Sequence, residues 1–201
     1  CNGKKFISTS MADNKRIVLV GAGNVATHLG MAWQKAGYEI VQVYSRTPAS
    51  ALELANRLGV GYTTSLEEIC ADADVYVVMV KDAVLQELIP NIVKGKKGAL
   101  FVHTAGSMPM NVWENYASRY GVLYPMQTFN KYNSVDFSQI PIFIESRTDL
   151  DCLQHLASQL SQKVYELDGS RRKLLHVAAV FACNFSNHMY DLSSRILQEY
   201  D

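Results

Sequence analysis

Apolar and polar positions along the chain follow two periods in alternation. Short continuous apolar runs, such as Ile17-Val18-Leu19-Val20 and Val75-Tyr76-Val77-Val78-Met79-Val80, are separated by segments with helical spacing. Such runs suit strands buried on both faces, and their alternation with helices predicts an α/β domain with a mostly parallel sheet. The first strand leads into a helix over 24–35 that Gly37 stops, and 39–44 forms the second strand. Pro48 sits where a new helix would open, continuing through Arg57. Ser65-Leu66-Glu67-Glu68 has the spacing of a capping box and predicts a short helix. Further helices are expected over 83–93, 109–119 and 150–162. Strands are expected over 99–103, 122–124, 141–145 and 164–167, with a loop over 125–139.

From about Ser170 the pattern becomes one long helix reaching the end of the chain. Such a helix would span roughly 45 Å, more than the diameter of a small domain. Leu174, Ala178, Phe181, Phe185, Met189, Leu192 and Ile196 fall within an arc of about 80°, a packing face with no partner left in the sequence. The expectation is therefore a truncated chain. The helix would begin an all-α C-terminal domain, and the rest of that domain or a second subunit would cover the stripe.

Composition narrows the function. Nineteen basic side chains balance nineteen acidic ones over 201 residues, so no net charge draws the chain to nucleic acid or membrane. Cys1, Cys70, Cys152 and Cys183 are scattered without a CxxC pair, which suits a reducing cytoplasm. No apolar run approaches the roughly 18 residues of a membrane span. The polar opening CNGKKFISTS lacks the apolar core of a signal peptide, and MADNKRIVLV reads like a natural start. Residues 1–14 are thus expected to be a disordered tail, a lipid-anchored Cys1 being the alternative.

The chemistry begins at Gly21-Ala22-Gly23-Asn24-Val25-Ala26, which follows a strand and opens an amphipathic helix. That is the context a dinucleotide-binding Rossmann turn requires. Gly21 permits the tight turn, Gly23 lets the backbone approach a pyrophosphate, and Ala26 allows close helix–strand packing. Domain bounds of 15–168 for a doubly wound Rossmann unit and 169–201 for the helical part follow. At the end of the second strand Ser45-Arg46-Thr47 replaces the carboxylate of an NAD binder. Two hydroxyls and a guanidinium there favour the 2′-phosphate of NADP, although a solvated arginine would also explain Arg46 alone. Val80 and Lys81, followed by Asp82, close the central strand where the nicotinamide side of the cofactor would pass. His103 and Ser107 follow the next strand, and His103 is a candidate proton donor or acceptor. Lys173, His176, Val180, Asn184 and Asn187 share a second helical arc of about 80°. Lysine, imidazole and amide groups on one stripe can polarise a carbonyl or imine; a solvated polar face accounts for the same spacing.

GAGNVA, the SRT triplet, HTAGS, YPMQTF and Lys173-Leu-Leu-His-Val-Ala-Ala-Val-Phe-Ala-Cys-Asn184-Phe occur in this order. Together they resemble the two-domain Rossmann-like proteins with a C-terminal domain of unknown function. These are grouped with pyrroline-5-carboxylate reductase, the deazaflavin-dependent NADP reductase and the β-hydroxyacid dehydrogenases. The resemblance covers about residues 15–201. It implies an NADP domain, a helical domain that usually makes a homodimer, and an active site between them. His103 and Ser107 would belong to the cleft loop, and His176 and Asn184 to the first helix of the second domain. Relatives often carry His where this chain has Tyr124, so it either uses Tyr124 or has lost that function. The expected activity is an NADP-dependent oxidoreductase moving hydride to or from a small C=O or C=N substrate. The alternative is a module that senses NADP(H) or scaffolds a partner without turnover; a metal-dependent hydrolase is a distant third, since no His/Asp/Glu cluster has ligand spacing.

Overall fold

The computed structural model describes residues 15–198; the expected tail over 1–14 lies outside the described residues. Eight strands form one sheet: β1 (Arg16–Val20), β2 (Glu39–Tyr44), β3 (Gly61–Thr63), β4 (Val75–Val78), β5 (Leu100–His103), β6 (Tyr120–Pro125), β7 (Ile142–Ser146) and β8 (Val164–Glu166). Their spatial order is β3-β2-β1-β4-β5-β6-β7-β8. The first six are parallel, β7 runs antiparallel to β6, and β8 is parallel to β7. The winding reverses between β1 and β4, so the connections after these strands leave toward opposite faces. They open a crevice at the carboxyl edge of the sheet, where ligands of such sheets bind.

The apolar runs read as buried strands because both sheet faces are covered. Along β1 and β4, Ile17, Leu19, Val75 and Val77 face one core. Val18, Val20, Tyr76 and Val78 face the other. The first core is closed by α1 (Asn24–Lys35), α2 (Pro48–Leu58) and α4 (Leu150–Ser158), through side chains such as Leu29, Trp33, Leu54 and Leu156. The second is closed by α3 (Asp82–Val93) through Leu85, Ile89 and Ile92, and by Trp113.

Three local expectations are corrected, and one strand was not expected. The capping box does not form, because Ser65 makes no side-chain cap bond. Instead Thr63 Oγ1 donates to Glu68 (2.7 Å) and accepts the Ser65 N–H (3.0 Å), leaving only a single 3₁₀ turn over Leu66–Glu68. β3 escapes the periodicity because it has three residues, one of them glycine. The helix expected over 109–119 is a 3₁₀ turn, Met110–Trp113, just long enough to drop Trp113 beside Phe101 with ring centroids 5.9 Å apart. The long C-terminal helix is interrupted: α5 (Gly169–Ala179) passes through π-helical turns at Val180–Phe185 into α6 (Ser186–Gln198). Leu174, Phe181, Phe185, Met189, Leu192 and Ile196 on its apolar stripe are exposed. Among the described residues no helix is long and apolar enough to cross a membrane.

Candidate functional site

The loop after β1 is fixed by backbone geometry. Gly21 has φ of +128°, and a Cβ there would sit 2.4 Å from the Met79 carbonyl oxygen, so only glycine lets the turn lie against the end of β4. Its N–H donates to the Tyr44 carbonyl at the end of β2 (2.8 Å), which joins three strand ends in one knot. At Gly23 a Cβ would meet nothing within 4 Å, so the backbone faces open space. No side chain caps the N-terminus of α1, and its first turn holds no acidic residue. Unspent N–H groups and the positive end of the helix dipole are thus presented to that space, as a diphosphate requires.

A cavity of about 210 Å³ runs along this turn past Ser45, Arg46 and Thr47 to Val80 and Lys81. Ser45 Oγ accepts the Thr47 N–H (3.2 Å), which shapes the loop, and the exposed Arg46 has no hydrogen bond or ion pair among the described residues. Of the other residues expected at the cofactor, Ala26 is fully buried, so its part is packing rather than contact. Asn24 Oδ1 accepts the Lys131 N–H (3.2 Å), and Val25 lines the neighbouring cavity.

That neighbour is a cleft of about 430 Å³ between the sheet edge and α5 with its π-helical continuation. Met79 and Val80 line both cavities, so the two are neighbours that share a wall. Tyr124 at the end of β6 and His176 on α5 meet in the cleft wall, Oη to Nδ1, at 3.0 Å. The pair exists because residue 106 is glycine: a Cβ there would lie 2.6 Å from His176 Nδ1 and 2.9 Å from Tyr124 Cζ. Burial pushes the Tyr124 hydroxyl above its ordinary pKa; the Asp82 carboxylate adds to this and the Arg172 charge opposes it. Asp82, at the start of α3, also lines the cleft and accepts a hydrogen bond from Ser107. Asn184 also lines the cleft, and Thr128 Oγ1 donates to its Oδ1 (3.4 Å). The segment carrying Thr128 continues across α1 and α2. His28 Nε2–H donates to the Asn130 carbonyl (2.9 Å), and Lys131 pairs with Glu53 (2.5 Å).

Three candidate catalytic residues do not line the cleft: Ser107, which reaches it only through its bond to Asp82, His103 and Lys173. His103 is fully buried, stacked on Trp113 with ring centroids 6.3 Å apart, and its Nδ1 accepts the Ala105 N–H (3.2 Å). Burial foremost, and then the Arg172 charge, lower its pKa to about 3, against a smaller opposing effect of the Pro109 backbone. It is a neutral prop beneath the cleft loop. Lys173 is exposed and does not line the cavity. Its neighbour Arg172 turns inward instead, 1% exposed, pairing with Glu145 and donating to the Met108 carbonyl (2.7 Å). Arg172 thereby ties α5 to β7 and to the cleft loop, one helical turn before His176. The sequence reading overlooked Arg172, the pairing of Tyr124 with His176 and that of Asp82 with Ser107.

Residues 16–106 match the family described as NADP oxidoreductase, coenzyme F420-dependent, and residues 140–201 match a domain of unknown function, DUF2520. BF3122 of Bacteroides fragilis, a candidate NADP oxidoreductase, is 53% identical with a TM-score of 0.90, over 92% of this chain and 73% of that one. TM1727 of Thermotoga maritima shares 22% identity over 92% of this chain and 70% of its own, with a TM-score of 0.74. An imine reductase of Myxococcus stipitatus in complex with NADP+ shares 18% identity over 91% of this chain and 64% of its own, with a TM-score of 0.67. These last two likenesses speak for the fold. No curated protein matches the sequence significantly.

Proposed function

The chain belongs to the family that joins a coenzyme F420-dependent NADP oxidoreductase domain to a DUF2520 domain, and from that premise we propose that it moves hydride to or from a small C=O or C=N substrate held in the cleft. The observation that carries this reading is the wall that the two cavities share at Met79 and Val80. A dinucleotide lying over the glycine turn would extend its reactive end past Val80 and Lys81 to the mouth of the Tyr124–His176 cleft. In the Rossmann unit, residues 15–168, the amides of the turn and of the first turn of α1 hold the diphosphate, while Ser45, Arg46 and Thr47 hold the 2′-phosphate. The helical segment from 169 onward supplies the far wall of the cleft, and its exposed stripe is where further helices or a second subunit would pack.

NADP, when bound, supplies or accepts the hydride; the protein orients it and manages the proton. Tyr124 is the proton donor to the substrate heteroatom. The hydroxyl, buried and shifted above its ordinary range, is protonated at neutral pH, as an unshifted tyrosine would also be, and His176 Nδ1, 3.0 Å away, passes a replacement proton. Asn184 Nδ2 is free to hold the substrate once Thr128 has engaged the amide oxygen. The apolar floor at Val25, Met79 and Val80 excludes water from the transfer path.

The test is NADPH oxidation by full-length protein against a panel of keto acids, imines and a deazaflavin coenzyme, with Tyr124→Phe alongside. Turnover that falls about 10²–10⁴-fold in the variant supports the assignment. Tight NADPH binding with no turnover on any substrate would favour a sensor or scaffold.

A further inference from the structure

The charge of the cleft is one-sided, and this bears on the substrate of the proposed reaction, a reading on which the inference rests. Asp82 stands in the first turn of α3, at the positive end of the helix dipole. Ser107 donates one hydrogen bond to it, and it lines the cleft that Tyr124 also lines. Among the described residues no lysine or arginine lines that cavity. Arg172 is buried against Glu145, and Lys81 lines only the neighbouring groove. A keto acid entering the cleft would bring its carboxylate toward Asp82 and give up hydration with no lysine or arginine of the cleft wall in return. A substrate that becomes cationic at the reacting group would be drawn to the same place.

We infer that the cleft takes an imine, reduced as its iminium ion, and that Asp82 is the specificity-determining counter-ion. In the balanced reaction the imine nitrogen takes the proton of Tyr124 Oη. Hydride from NADPH then adds to the iminium carbon, and the C=N π pair becomes the lone pair on nitrogen. The products are a neutral amine and NADP+, and Tyr124 regains a proton from solvent by way of His176.

The experiment is calorimetric titration of the NADP+-loaded full chain with two probes of matched shape, cyclohexylammonium and cyclohexanecarboxylate. The ammonium probe is expected to bind roughly tenfold tighter, as one charge-assisted contact allows. Asp82→Asn keeps the shape and the bond to Ser107 and should shrink the preference to about twofold or less; Asp82→Glu should retain it. Thermal unfolding of each variant checks that the fold is kept. Equal or tighter binding of the carboxylate, a preference that Asp82→Asn leaves unchanged, or binding of neither probe to the loaded protein would overturn the inference. Failure of NADP+ itself to bind, read in the loading titration, would instead remove the cofactor assignment beneath it.

Discussion

Gly106→Ala is the smallest change that should disable the proposed proton donor. Gly106 is not one of the glycines with positive φ, so alanine meets no backbone objection there. Its methyl group, however, would lie 2.6 Å from His176 Nδ1, 2.8 Å from His176 Cγ and 2.9 Å from Tyr124 Cζ. Ordinary contact requires one or both rings to withdraw by most of an ångström. His176 cannot swing away freely, because Arg172 pins α5 one turn earlier, and Tyr124 is 9% exposed at the end of a sheet strand. The hydrogen bond, now 3.0 Å, would be pushed past useful length. Overpacking of this kind costs about 1–3 kcal/mol of stability, and losing an aligned acid costs about 10²–10⁴-fold in kcat. Steady-state kinetics with whichever substrate the panel identifies, together with thermal unfolding and NADPH affinity, separates the effects. We expect kcat to fall as far as in Tyr124→Phe while NADPH affinity stays within about twofold. A Gly106→Ala enzyme with kcat close to wild type would refute the pairing of Tyr124 and His176 as the proton path.

Three further outcomes follow from the same geometry. His103 in the unfolded chain titrates near 6.5 and in the fold at about 3, so below pH 6.5 the unfolded state binds the extra proton. The stability contributed by keeping the ring neutral is complete above that pH and is lost as the pH falls toward 3, about 2 kcal/mol of it by pH 5. Urea unfolding across pH 4.5–7.5 should show a shallower slope in His103→Phe, and an unchanged slope would show that the ring is solvated. Arg172→Met leaves Glu145 and the Met108 carbonyl without their partner, and should cost about 3–5 kcal/mol, much of it recovered when Glu145 is also replaced by Met; a single variant as stable as wild type would contradict the buried pair. Gly21→Ala forces a Cβ into the Met79 carbonyl and should abolish NADPH binding, whereas Gly61→Ala, which meets no neighbour and has no positive φ, should leave affinity unchanged.

What could be read from the chain was whatever the chain specifies locally. The glycine motif is six consecutive residues that leave a strand and open a helix, and its two glycines have different surroundings, the Met79 carbonyl at Gly21 and open space at Gly23. The buried strands were legible because both faces of β1, β4 and β5 are apolar. Elements held by a single contact were not. One buried tryptophan stops the segment after Pro109 at four residues, and a threonine hydroxyl outcompetes the capping box at Ser65. The site was half legible for the same reason. Tyr124 and His176 lie 52 positions apart, Asp82 and Ser107 25, and no local pattern announces either pairing. On the helical wheel Lys173 and Arg172 flank His176 on opposite sides, and only docking against β7 decides that the arginine goes inward. His103 could be read as reactive or as structural because a histidine at a strand end looks the same in sequence whether its ring faces a cleft or a tryptophan.

The claim beneath all of this is that the groove from Gly21 to Arg46 holds a dinucleotide with a phosphate on its adenosine ribose. Equilibrium titration of the full-length protein with NADPH and NADH, repeated on Arg46→Asp, tests it directly. The account predicts that NADPH binds at least about tenfold tighter than NADH and that the variant loses this advantage, because a carboxylate repels the 2′-phosphate. Equal affinity for the two cofactors in the wild type, or an NADPH affinity untouched by Arg46→Asp, would contradict it.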